Sequence, residues 1–83
     1  MKLFLISQDK NNGYDTYESA VVCAHDENNA KTIHPYKSIS APVTNSLNEY
    51  STWTELDNVK VKYIGEAAEG LERGVIVASF NAG

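Results

Sequence analysis

The stretch Leu3-Phe4-Leu5-Ile6-Ser7-Gln8-Asp9-Lys10-Asn11-Asn12-Gly13-Tyr14-Asp15-Thr16-Tyr17-Glu18-Ser19-Ala20-Val21-Val22-Cys23-Ala24 decides the fold. Leu3 to Ser7 opens with a continuous apolar run, the pattern of a central strand covered on both faces. Tyr17 to Ala24 reads as a second strand with the β-branched pair Val21-Val22 at its centre. Asn11-Asn12-Gly13 supplies turn formers, and a hairpin is the simplest way to join the two runs. A hairpin connector needs only about two to five residues with a glycine at the bend. The segment Asn11 to Tyr17 holds more than that: two tyrosines, a carboxylate and a hydroxyl.

Outward from the hairpin, Asp26 begins a short helix. Aspartate is a favoured N-cap, Glu27 suits the positive end of the helix dipole, and Ala30 and Ile33 share one face. Pro35 ends the helix and pushes His34 out of the α region. Two turns or so of helix have little stability of their own and require packing on a sheet. Residues 36–58 form a polar insert rich in Ser, Thr and Asn, with Pro42 inside it and a short helix expected from Asn45 to Tyr50. Val59 to Ile64 alternates cleanly, with Val59, Val61 and Tyr63 on one face and Lys60, Lys62 and Ile64 on the other. Gly65 to Gly74 is a glycine- and glutamate-rich loop, and Gly74 to Phe80 is a last strand, apolar on both sides. The order is ββαββ. It predicts a single α+β domain over residues 1–83: a four-stranded antiparallel sheet, one short helix, and a long polar insert between the helix and the third strand.

Composition narrows the function. Eighty-three residues with 42% hydrophobic content suffice for one domain with a thin core. Small domains of this kind often gain stability by self-association, so a homo-oligomer is expected. The net charge of −4 argues against binding a nucleic-acid duplex, which needs clustered Lys and Arg. Arg73 is the only arginine, so an anionic ligand would fall to lysines, amides or backbone N–H groups. Cys23 is the only cysteine, lies in an apolar run and cannot form an intramolecular disulfide. The N-terminal apolar run ends at Gln8-Asp9-Lys10, too short for a signal core or a membrane span. The expectation is a soluble, unprocessed, cytoplasmic protein.

Three groups of residues carry candidate chemistry. Asn11-Asn12-Gly13 can expose consecutive N–H groups as an anion nest, Tyr14 and Tyr17 can stack on a base, and Asp15 can accept from a ribose hydroxyl. The plain alternative is an ordered hairpin loop in which Asp15 and Thr16 satisfy local backbone donors. Tyr36, Tyr50 and Trp53 stand in or beside loops, where aromatics mark recognition surfaces; alternatively, Trp53 folds back as a lid over a small core. Cys23, His25, Asp26 and His34 are the only candidate metal cluster, but they lack a recognised ligand spacing, and a buried cysteine with surface histidines is the simpler reading. No nucleophile elbow, phosphate loop or paired acids occur, so neither catalysis nor a cofactor is expected. Glu66, Glu69 and Glu72 read as a solvated loop or a single helical turn.

Several segments together resemble a family of small uncharacterised proteins of tailed phages and prophages. They are Lys2 to Gln8, Asn12-Gly13-Tyr14-Asp15-Thr16-Tyr17-Glu18-Ser19-Ala20-Val21-Val22, Ile33-His34-Pro35, Tyr63-Ile64-Gly65-Glu66-Ala67-Ala68-Glu69-Gly70, and Gly74 to Gly83. The sequence departs from the family's pattern over residues 36–58, a longer and more polar insert that keeps Trp53-Thr54. The resemblance implies a non-enzymatic anti-defence protein acting in the host bacterial cytoplasm. It would sequester a nucleotide second messenger of host immunity; for that ligand the residues themselves offer Asn12, Tyr14, Asp15, Tyr17, Trp53 and Asn81. The alternatives are a protein–protein inhibitor that covers a host defence effector, as anti-CRISPR proteins do, and an accessory protein with a structural or regulatory role.

Overall fold

Lys2–Ser7 forms strand β1 and Thr16–Ala24 forms strand β2, an antiparallel pair in which Phe4 stands opposite Val22 and Ile6 opposite Ala20. The computed structural model describes residues 1–10, 16–35, 53–54 and 56–81. The rest of the chain forms helix α1 (Glu27–Lys31), a 3-10 turn (Leu56–Asn58), β3 (Lys60–Glu66) and β4 (Gly74–Asn81). All neighbouring strands are antiparallel, and the sheet order is β3-β1-β2-β4. The α+β class and ββαββ order read from the sequence are therefore the observed ones. The expected helix from Asn45 to Tyr50 lies outside the described residues.

The hairpin forms the centre of the sheet. Its register runs unbroken from Lys2 opposite Ala24 to Ser7 opposite Ser19. Both outer pairings contain irregularities: β1–β3 shifts between Leu3 and Phe4, and β2–β4 shifts at Tyr17/Ser19 and Val21/Val22. Such bulges raise local twist, which lets the outer strands curl around the core.

Helix α1 starts as its sequence dictates. Asp26 has extended backbone angles, and its carboxylate accepts from the Asn29 N–H at 2.8 Å. Ala30 and Ile33 then reach the sheet and join Phe4, Ile6, Ala20, Val22, Ala24, Trp53 and Val59 in one cluster. The side chains of Phe4, Ile6, Val22 and Trp53 are at most 2% exposed.

The opposite face of the sheet differs from expectation. The apolar run of β1 implied cover on both sides, and β1 is indeed central. Leu3 and Leu5, however, are only half-buried, as is Val21, while Val77 is 59% exposed. The five-residue helix, with Trp53, Leu56 and Val59, covers one face, and among the described residues no helix packs on the other. β4, which also read as apolar on both sides, is an edge strand. The connection from β3 to β4 crosses the end of the sheet, where the Ala67 N–H donates to the Met1 carbonyl at 3.1 Å. Its turn places Gly70 at φ +91°, a conformation that favours glycine.

Candidate functional site

The base of the β1–β2 connection is held by Gln8, which is 5% exposed. Its Nε2 donates to the Tyr17 carbonyl at 2.8 Å, and its Oε1 accepts from the Lys10 N–H at 2.9 Å. The Gln8 N–H donates to the Glu18 carbonyl at 3.1 Å. One buried amide thus ties both sides of the hairpin at the point where the loop leaves the sheet. Nothing in a single glutamine between two polar residues signals this role, so the sequence alone does not reveal it.

Of the six residues expected to bind a ligand, Tyr17 and Asn81 lie on neighbouring strands, and Asn81 alone of the two lines the hollow there. Thr16 pairs with Asn81 and Tyr17 with Phe80 across β2 and β4, with the Tyr17 and Phe80 rings 4.7 Å apart. Beside them is a hollow of about 430 Å³ lined by Thr16, Glu18, Ser79, Phe80 and Asn81. Glu18 accepts from the Ser79 hydroxyl at 2.8 Å across this floor. Asn12, Tyr14 and Asp15 lie outside the described residues. Trp53 is elsewhere: its side chain is fully buried in the cluster under α1. It occupies the core because the largest apolar side chain gains most from burial where the core is thin.

The only arginine is also committed to the fold. Arg73 Nε donates to Asn29 Oδ1 at 3.0 Å, and its Nη2 donates to Thr32 Oγ1 at 2.9 Å and to the Asn29 carbonyl at 3.4 Å. Thr32 is the C-cap of α1, where a cation is favoured by the helix dipole.

The histidines divide. His25 is exposed, whereas His34 is 2% exposed, contrary to the reading of both as surface residues. His34 is drawn inward because it sits between Ile33 and Pro35, both buried as the chain leaves α1. Cys23 is buried on β2, with Sγ 3.9 Å from Met1 Sδ. Among the described residues, no three His, Cys, Asp or Glu side chains converge as they would around a metal ion.

Two exposed polar pairs flank the sheet. Lys60 Nζ lies 2.9 Å from Asp9 Oδ2, and this hydrogen bond holds the Asp9 carboxyl below its ordinary range. At the other end of β3, the Tyr63 hydroxyl donates to Glu66 Oε2 at 2.6 Å, which raises the phenol above its ordinary value. Lys2 Nζ stands 6.0 Å from the Tyr63 ring centre, and Phe4 meets the same ring edge-on.

The remaining feature is the open face. A shallow apolar hollow of about 150 Å³ is lined by Leu5, Ser19, Ala20, Val21, Val77, Ala78 and Ser79. Register places Lys62 beside Leu5 on β3, and Glu18 adjoins Ser19 and Ser79 on the β4 side. The face therefore has an apolar centre with a cation on one flank and a carboxylate on the other. No family model, curated protein or solved structure matches this chain. Among the described residues, no helix is long and apolar enough to cross a membrane.

Proposed function

We propose that this chain is a non-enzymatic binding protein that covers a host defence protein with the open face of its sheet. The observation that carries the reading is the half-exposed apolar patch of Leu5, Val21 and Val77, flanked by Lys62. Exposed apolar area with a charged rim is the pattern of a protein-recognition surface. The partner surface that fits is an apolar patch bordered by an acidic group facing Lys62. The resemblance to phage proteins supplies the class of partner, a component of host defence.

The reading is tested by expressing the chain in bacteria that carry defined defence systems and measuring phage plating. Expression raises plating efficiency against at least one system, and Lys62→Glu and Val21→Lys abolish the gain while far-UV circular dichroism stays native. Failure to raise plating against any system overturns the reading.

A second reading, sequestration of a nucleotide, draws on the hollow lined by Thr16, Glu18, Ser79, Phe80 and Asn81, where hydroxyls and the Asn81 amide stand together. Against it, the charged residue lining that hollow is Glu18, which repels a phosphate. A melting-temperature survey with cyclic nucleotides separates the two, since a ligand at a hundredfold excess over its Kd adds about 2.7 kcal/mol. A nucleotide that stabilises wild-type protein but not Asn81→Ala would replace the protein-covering reading.

A further inference from the structure

The two edges of the sheet differ. β3 carries Lys60, Lys62 and Glu66, and charged side chains on an edge strand discourage pairing with other chains. β4 reads Gly74-Val75-Ile76-Val77-Ala78-Ser79-Phe80-Asn81, with neither a charged residue nor a proline. Its inner side pairs with β2, and among the described residues no strand lies on its outer side. It is also where exposed apolar groups concentrate: Ile76 is 48% exposed, Val77 59% and Phe80 44%. These side chains project on both sides of the strand. Val77 stands opposite Val21 on the open face, while Ala78 and Phe80 stand opposite Ala20 and Tyr17 on the helix face.

We infer that β4 is a self-pairing edge, along which two copies of this chain join antiparallel about a two-fold axis into one continuous sheet. Three observations favour a second copy as the occupant. An antiparallel pairing of one strand with itself is closed and self-complementary, so it forms a dimer and leaves no further β4 edge exposed. The uncharged sequence places no like charges across the axis, where they would oppose each other. The Val21/Val22 register shift leaves Ile76 out of the ladder, whereas the Tyr17/Ser19 shift is taken up by Glu18 on β2, so Val77 to Asn81 hold consecutive pairing positions along β4. An axis near Ser79 sets Ala78 and Phe80 of the two copies face to face on the helix side. The charged β3 edges then lie at the outer ends of the joined sheet, and the two open faces form one surface.

Sedimentation equilibrium over a range of protein concentrations tests the inference, together with hydrogen exchange of the β4 amides. The wild-type chain sediments at twice its 9.1 kDa mass at high concentration, and its β4 amides exchange more slowly there than in dilute solution. Val77→Lys sets a cation on the edge of each copy and weakens association about tenfold or more, while the circular dichroism spectrum stays native. Lys62→Glu, on the opposite edge, leaves association unchanged. A wild-type chain that is monomeric at all concentrations overturns the inference. So does a dimer that Val77→Lys does not weaken, or one whose β4 amides exchange equally fast at all concentrations.

Discussion

Arg73 donates from Nε to the side-chain oxygen of Asn29 at 3.0 Å, joining the residue before β4 to the only helix of the described residues. Asn29 is a junction. Its Oδ1 also accepts from the His25 N–H at 3.2 Å, and its own N–H donates to Asp26 at 2.8 Å. The fork of Arg73 continues to Thr32, so the start and end of α1 are fastened through one asparagine and one arginine. A five-residue helix has no independent stability, and this lateral attachment supplies what its length does not.

Arg73→Lys therefore destabilises the protein although it keeps the charge, because an ammonium group cannot reproduce the planar fork to Asn29 and Thr32. Hydrogen bonds to charged groups contribute about 1.5–3 kcal/mol each when buried, and partial exposure of Arg73 places the loss nearer 1 kcal/mol. Urea unfolding of Arg73→Lys, Asn29→Ala and the double variant measures it. The two losses are expected to be non-additive by about 0.5 kcal/mol or more, as for residues in direct contact. Additive losses would show that the bond contributes nothing.

Trp53→Ala is expected to cost about 3–5 kcal/mol, the usual penalty for truncating a buried aromatic. Domains of this size have roughly 5–15 kcal/mol of stability in total, so the variant is unfolded or nearly so at physiological temperature. Thermal melting by circular dichroism checks this. A folded Trp53→Ala protein with an unchanged melting temperature would return Trp53 to the surface as a recognition residue.

The hairpin and helix were legible because their signals are local. Val21-Val22 makes a strand and Asp26 caps a helix regardless of the rest of the chain; the end was misplaced, since the helix closes at Lys31 with Thr32 as C-cap, ahead of Ile33 and Pro35. The lateral order of strands is not local. Val75-Ile76-Val77 is as apolar as Leu3-Phe4-Leu5, yet one run lies on an edge and the other at the centre. Only the connections across the sheet decide which is which. For Trp53 the sequence offered both a recognition surface and a lid over a small core, and its burial in the core cluster fits the second. At the candidate site, Asn81 was legible individually, but its pairing with Thr16 depends on the β2–β4 register, which periodicity does not encode.

Gln8→Ala tests whether the hairpin base is held as the geometry shows. The substitution leaves the Tyr17 carbonyl and the Lys10 N–H without the side-chain amide that now satisfies them. The expected cost is about 1–3 kcal/mol, because a buried polar group that loses its partner incurs its full desolvation penalty. Gln8→Glu keeps the acceptor for Lys10; at low pH its protonated carboxyl also donates to the Tyr17 carbonyl and the variant falls between wild type and Gln8→Ala, whereas the ionised carboxylate at neutral pH has no proton to donate and loses that bond. Chemical denaturation of the three proteins gives the order, and equal stability throughout would remove Gln8 from this role.

The Tyr63–Glu66 pair predicts a pH dependence at the alkaline end. The phenol donates to the carboxylate at 2.6 Å, which favours its neutral form and raises its pKa above 10.0. A group whose folded pKa is raised contributes stability that is fully present below its unfolded pKa and is lost as pH rises through the folded one. The contribution of Tyr63 is therefore intact at neutral pH and disappears only above pH 10.0. Asp9 behaves in mirror image. Its carboxyl is lowered below 3.8 by the hydrogen bond from Lys60, so that contribution is present above this value and is lost as pH falls through the lowered pKa. Nuclear magnetic resonance titration of the Tyr63 ring in wild type and Glu66→Gln reads the alkaline member directly. The midpoint moves down toward 10.0 in the variant, and equal midpoints would mean that the hydroxyl does not hold its hydrogen bond to Glu66 in solution.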